Sequence, residues 1–405
     1  MTSETIDFIM TKLISEKMNI PYAQQSISQA DIDAVIEVLN SKFLTQGPMV
    51  PAFENFISSY VGSDHAVAFN SATSALHVAC LALGVTSGDI VWTSPNTFVA
   101  SSNCALYCGA DVDFVDIDPL TYNLSSDRLE EKLILAKKSG RLPKVVIPVH
   151  FCGQPCDMRA ICRLSKIYGF RIIEDASHAI GAEYESQKIG IGKFSDITIF
   201  SFHPVKIITS AEGGMAVTND KNIASKLRLL RSHGITNSPH EMHSRPKDEI
   251  WNYQQIDLGF NYRMSDIHAA LGLKQIERIE QFLDRRRSIA LRYDKELQGL
   301  PITLPFQISA GLSSYHLYPI RLHLDEIKKT QKEVWAALHS AGILVNLLYI
   351  PVYLQPYYEA LGFKRGYCPE AESYYRETIS IPMFPGLTDF QQGRVIEQIR
   401  EVLLF

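Results

Sequence analysis

The 405-residue sequence has no long apolar run, no basic run and no internal repeat, and each absence removes a class of protein. A membrane-crossing helix needs about 20 consecutive apolar residues. The opening stretch, "MTSETIDFIMTKLISEKMNIPYAQQS", is too mixed for that and has no signal-peptide core, so no membrane partner is expected. A net charge of −5, with no basic segments interleaved with aromatics, argues against a nucleic-acid surface. The seven cysteines are odd in number and follow no signal peptide, so reduced thiols in the cytoplasm are expected. The gaps between Cys104 and Cys108, and among Cys152, Cys156 and Cys162, fit no zinc ribbon, and no histidine cluster completes four ligands. No metal is expected.

What is present is 46% hydrophobic and 20% charged, enough for a sizeable core in two or three domains, or one large and one small. Met18 opens a more conventional start, so residues 1–17 read as a variable leader. From about residue 62 to 218, β-rich runs ("HAVAFN", "DIVWTSP", "VDFVDID", "KVVIPVHFCG", "RIIED", "DITIFSF", "GGMAVTND") alternate with helix-like segments. Apolar runs of that length, bounded by turn residues, predict a mostly parallel sheet covered on both faces, an α/β architecture. Functional groups then belong at the carboxyl ends of the strands. Residues 18–264 are thus an N-terminal segment and a large domain. Helical spacing without proline predicts one long connecting helix within 265–310, and 311–405 reads as a smaller α+β domain with strands in "YHLYPIRL" and "ILVNLLYIP". The polar, turn-rich stretch at 237–248 is expected to be a mobile loop.

In "IFSFHPVKIITSAEGG", Lys206 follows an apolar β-branched run. Most lysines are solvated surface charges, and a strand-end carboxylate such as Asp175 in "RIIED" is most often a helix cap. Together they suit pyridoxal phosphate, with lysine binding the aldehyde carbon and aspartate holding the pyridine nitrogen protonated. In "FNSATSALH" a strand runs into small and hydroxylic residues at a helix start. Free amides there suit a phosphate, with Thr73 and Ser74 as added donors, although a simple Ser/Thr cap explains the pattern too. Ser201 is either another phosphate donor or a buried strand serine.

Eight landmarks in order ("LTQGP", "NSATSALH", "TSPNTFVAS", "EDASHAIGA", "FSFHPVKIITSAEGG", "RSHGI", "DLGFNYRMSDIHAALG", "YHLYPIRL") make the chain resemble the DegT/DnrJ/EryC1/StrS family of sugar aminotransferases, of the aspartate aminotransferase fold type. The resemblance implies pyridoxal 5'-phosphate held covalently by Lys206, which is also the general base, with Asp175 on the pyridinium nitrogen. It implies Phe98 stacked on the ring, His178 near the ring hydroxyl, and Thr73, Ser74 and Ser201 on the phosphate. Asn261 would reach that phosphate from a second subunit, making a homodimer; otherwise it is a loop-capping amide. Tyr22, Thr45 and Gly47 fall in the region that lines the sugar site in relatives. Glu212 either contacts the sugar or braces its turn, and His316 either touches substrate or packs between domains.

Within the family, "SFHPVKIIT", "DASHAIGA" and "LYIPVYLQPYY" look most like members of the pseudaminic acid pathway. That implies amination at C4 of a UDP-linked 2-acetamido-2,6-dideoxy-4-keto-hexose of L-arabino form, with L-glutamate as donor and 2-oxoglutarate as product. The alternative is a D-series nucleotide-linked 4-keto sugar of bacillosamine or perosamine type. A sugar dehydratase of this fold would carry histidine in place of Lys206. A non-catalytic regulatory protein would be expected to lose Lys206 or Asp175, and both are present.

Overall fold

Seven apolar runs become one sheet: β1 (His65–Phe69), β2 (Ile90–Thr93), β3 (Asp111–Phe114), β4 (Val145–Ile147), β5 (Arg171–Asp175), β6 (Ile197–Ser201) and β7 (Gly214–Thr218). The computed structural model describes residues 19–244 and 249–404; the leader expected over 1–17 and part of the loop expected over 237–248 lie outside them. Strand order is β1-β7-β6-β5-β4-β2-β3. β7 runs antiparallel to both of its neighbours, and the other pairs are parallel.

Alternate residues of each strand feed two separate cores. Ala66, Ala68, Ile172 and Phe200 enter one, while Val67, Phe69, Ile173 and Ile199 enter the other. Burial on both faces is why the strands read as continuous apolar runs rather than as an alternation. Register puts Gly214 of β7 opposite both Phe69 and Ser201. The start of the antiparallel strand and the carboxyl ends of β1 and β6 therefore meet at one edge.

The expected long helix is two, Asp266–Ile276 and Ile279–Glu296, broken at Glu277 and Arg278. Arg278 leaves the helical range (φ −109°, ψ 10°), and its guanidinium is bound to Asp31, beside which Gln275 also donates at 2.9 Å. The smaller unit begins upstream of residue 311, because Ile302–Thr303 already pairs with Tyr318–Leu322, which in turn pairs with Thr378–Ile381. Helices Gln331–Ser340 and Asp389–Leu404 supply apolar residues to its core.

"ILVNLLYIP" is a strand only at Ile343–Leu344, paired in parallel with Ile20–Pro21, so the N-terminal strand joins the smaller unit and not the large one. Asn346 then exchanges both backbone hydrogen bonds with Ser380, and the chain passes on to Leu348 and Tyr349 at the rim of the large sheet.

Candidate active site

A cavity of about 320 Å³ opens at the edge where β1, β5 and β6 end. Each strand delivers a polar group to it, as the topology of an open parallel sheet requires.

After β6 the chain doubles back over the sequence "ITSAEGG". Phe202 anchors this turn: its amide donates to the Gly213 carbonyl, and its own carbonyl accepts from the Ser210 amide and, at 2.9 Å, from the Thr209 hydroxyl. Ala211 takes the left-handed conformation (φ 65°). Ile207 and Ile208 are buried, and the Lys206 side chain lines the cavity. The residue as a whole is half-buried, and its ammonium has no hydrogen bond or ion pair among the described residues. Burial pulls Lys206 down from 10.5 to about 8, against the opposing pull of the Asp175 charge. A fraction of this amine is therefore a free base near neutrality, which an exposed lysine is not.

Asp175, 4% exposed, ends β5. Its Oδ2 accepts the Ser101 hydroxyl at 2.6 Å and its Oδ1 accepts the Ser177 amide at 3.0 Å. Each oxygen keeps a lone pair for something in the cavity. Three residues further on, the Nδ1 of His178 accepts the Cys152 amide at 3.3 Å. This puts the imidazole proton on Nε2, 3.4 Å from the Tyr349 hydroxyl. Burial, reinforced by the Lys206 charge, holds His178 well below its ordinary pKa and so neutral. Tyr349 stacks on His178 at 19° between planes, and the His316 ring lies 4.3 Å from the His178 ring.

At the end of β1, the helix Ala72–Ala82 begins with Ser71 as N-cap, its hydroxyl accepting the Ser74 amide at 3.1 Å. Ser71, Ala72 and Thr73 line the cavity. Ser74 does not: its hydroxyl donates to Asn70 Oδ1 at 2.6 Å. A Cβ on Gly214 would sit 2.5 Å from the Ala72 nitrogen, so only glycine lets β7 start against this helix N-terminus.

Phe98, Ser201 and Glu212 also line the cavity, and Phe98 stays largely exposed over it. Tyr22, Thr45, Gly47, Asn261 and His316 do not line it in their own chain. The Tyr22 carbonyl accepts from Met383, Thr45 pairs with Ser265, and Gly47 lies against the Asp266 carboxylate. Asn261 pairs with Ser232 on an exposed stretch, and His316 is buried behind His178. His150, also at a strand end, is fully buried and 2.7 Å from Glu174, a packing role. The seven cysteines are free, and among the described residues no His, Cys, Asp or Glu cluster is arranged for a metal.

Ser101, Ser177 and Tyr349 belong to the site without being among the residues that the sequence pattern marks. Ser101 sits inside the "TSPNTFVAS" landmark, one turn beyond Thr97, so a signal was present. Tyr349 arrives from a part of the chain that reads as a strand, and gave none.

The donors fit a phosphorylated pyridine aldehyde. They comprise an unpartnered amine of lowered basicity, a buried carboxylate with free lone pairs, open amides at a helix start and an exposed aromatic face. Residues 25–400 match the model of the DegT/DnrJ/EryC1/StrS aminotransferase family, and the chain belongs to that family. Over 365 residues it is 40% identical to the UDP-4-amino-4,6-dideoxy-N-acetyl-beta-L-altrosamine transaminase of Campylobacter jejuni, covering 90% of this chain and 92% of that one. Helicobacter pylori PseC, an aminotransferase involved in the biosynthesis of pseudoaminic acid, superposes with a TM-score of 0.86 at 31% identity, covering 95% of this chain and 99% of that one. The PLP-form of the sugar aminotransferase Spr1654 from Streptococcus pneumoniae gives a TM-score of 0.84 at 30% identity, covering 95% and 98%. The fold is therefore that of the PLP-dependent sugar aminotransferases: a large, mostly parallel sheet domain with a smaller C-terminal unit.

Proposed function

We propose that the protein moves an amino group from L-glutamate to C4 of a UDP-linked 2-acetamido-2,6-dideoxy-4-keto-hexose of L-arabino form, using pyridoxal 5'-phosphate, in pseudaminic acid biosynthesis. The observation that carries this reading is the unpartnered Lys206 amine sharing one cavity with the buried Asp175 carboxylate. The bound cofactor would supply an electron sink for the carbon that loses its proton.

Lys206 is the residue that takes and returns protons, its basicity lowered by burial toward the working pH. Asp175 would hold the cofactor's ring nitrogen through a charge-assisted hydrogen bond. Neutral His178 would donate from Nε2 to the ring hydroxyl, and Phe98 would cover the ring. Thr73 and Ser201 would join the helix amides around the phosphate, while the Ser71 hydroxyl, which donates to Ser74 at 2.9 Å, and the Ser74 hydroxyl brace the cap. The choice of sugar is supported by the 40% identity to the Campylobacter enzyme and by the likeness to PseC.

The active unit in this reading is a homodimer in the cytoplasm, where the seven free thiols stay reduced. Trp251 and Leu258 are each 75% exposed, an apolar surface that calls for a cover, and Asn261 follows it three residues later. A second copy would bring Asn261 to the phosphate.

Three measurements test the proposal. Protein loaded with pyridoxal phosphate should bleach on addition of glutamate, and Lys206→Ala should abolish turnover while keeping its circular dichroism. Offered separately, the L-arabino UDP-4-keto sugar should give a higher kcat/KM than the D-xylo sugar, since that ratio reports transition-state discrimination. The reverse preference would replace the sugar assignment with the D-series one. An active Lys206→Ala would remove the proposal altogether.

A further inference from the structure

Asp175 faces the cavity with part of its hydrogen-bonding capacity already committed to Ser101 and Ser177. The Ser177 amide that binds Oδ1 is backbone, fixed by the fold. The Ser101 hydroxyl that binds Oδ2 at 2.6 Å is a side chain, carried on the helix Ala100–Tyr107. The Ser101 hydroxyl donates to Asp175, so its one proton is spent there. The Thr97 hydroxyl, 2.8 Å from Ser101 Oγ, must then be the donor in its pair. Hydrogen bonds run in one direction, from Thr97 to Ser101 to Asp175. Thr97, Ser101 and Asp175 are 3%, 1% and 4% exposed, so little water can substitute for a lost donor. A buried anion deprived of a hydroxyl donor is destabilised more than a neutral acceptor would be.

We propose that Ser101, oriented by Thr97, is a positioning residue that keeps the Asp175 carboxylate aimed into the cavity, and so sets how firmly a pyridinium nitrogen is held there. This rests on the reading of the site as a pyridoxal phosphate site. Polarisation along such a chain strengthens each bond in it, so both hydroxyls contribute, Ser101 directly and Thr97 through it.

The test uses the full-length protein and pyridoxal phosphate itself, with Ser101→Ala, Ser101→Thr and Thr97→Val. Three quantities are read: the cofactor's Kd by titration into apo-protein, the pH midpoint of the bound cofactor's visible absorbance, and the apo-protein Tm. Loss of one hydrogen bond to a charged group corresponds to a Kd raised about tenfold in Ser101→Ala. The pH midpoint should move up, because a ring nitrogen that holds its proton less firmly draws less charge from the Lys206 nitrogen. Ser101→Thr keeps the hydroxyl and should restore both values. Thr97→Val should raise Kd by about threefold in the same direction, and it decides the matter alone where Ser101→Ala fails to fold.

A fall in Tm with Kd and midpoint unchanged would mean that Ser101 only packs, and would overturn the inference. Wild-type protein that takes up no pyridoxal phosphate would instead overturn the proposed function, so the two failures are distinguishable.

Discussion

An amine pressed into a poorly hydrated cavity should cost the empty protein stability, and Lys206→Met measures that cost. Methionine keeps the length of the side chain and removes the charge. The folded-state pKa of Lys206 is depressed from 10.5 to about 8, so the unfolded chain binds the proton more tightly than the folded one. Below about pH 8 the amine is charged in both states, and the folded state carries the full penalty. Between about 8 and 10.5 the folded state sheds its proton first and the penalty shrinks; above 10.5 it is gone. A shift of that size corresponds to about 3 kcal/mol, and screening through the cavity mouth reduces it to about 2–3 kcal/mol.

Apo Lys206→Met should therefore be more stable than apo wild type at pH 7 by about 2–3 kcal/mol in urea unfolding, at equal protein concentration. The gain should fall to about half at pH 9.5 and vanish near pH 10.5. A variant no more stable than wild type at pH 7 would refute the argument, as would a gain that does not depend on pH. The first result would mean that the amine is effectively hydrated, and the second that methionine simply packs better.

Gly214→Ala should cost about 3 kcal/mol in urea unfolding and weaken pyridoxal phosphate binding, because its Cβ would meet backbone atoms of Ser71 and Ala72 rather than a flexible side chain. Unchanged cofactor affinity would show that the helix start plays no part in binding. Glu54→Ala removes the acceptor shared by Arg231 and, at 2.8 Å, the Ala68 amide in β1, and should lower stability by about 2–3 kcal/mol. Glu54→Gln, which keeps an acceptor oxygen, should recover part of that. Replacing Trp251 and Leu258 with glutamate should shift the protein toward monomer in analytical ultracentrifugation and abolish turnover; an active monomer would remove the second subunit from the site.

The seven strands were legible because burial on both faces leaves continuous apolar runs that end at turn residues. Lys206 and Asp175 were legible for a related reason: a charge at the end of a buried run needs an explanation. The break at Glu277 and Arg278 left no local mark, since neither glycine nor proline stands there. It is set by Asp31, more than two hundred residues earlier in the chain. Ser71 and Ser74 show how little separates two readings of one cap. The helix starts at Ala72, so Ser71 faces the cavity and Ser74 turns back to Asn70. Ser71 is the N-cap and Ser74 the third helical residue bound back to it, an arrangement set by a helix start that sequence patterns do not fix to the residue.

Several local rules are broken at the cavity and beside it. Lys206 is a cation without a partner at the end of an apolar run, and Phe98 is a large aromatic left exposed. Ala211 and Cys152 hold left-handed backbone (φ 65° and 58°) on either side of the cavity residues they support. Left-handed geometry at a residue with a Cβ costs on the order of 1 kcal/mol, and a desolvated amine costs more. None of these features stabilises the fold, and each is held by well-satisfied surroundings: Ala211 by the Thr209 hydroxyl, Cys152 by His178, and Lys206 by the buried Ile207 and Ile208 that follow it. A chain selected for stability alone would relax them one at a time. The convergence of Lys206, Asp175 and Phe98 on one 320 Å³ space is what separates a built site from an accident of packing.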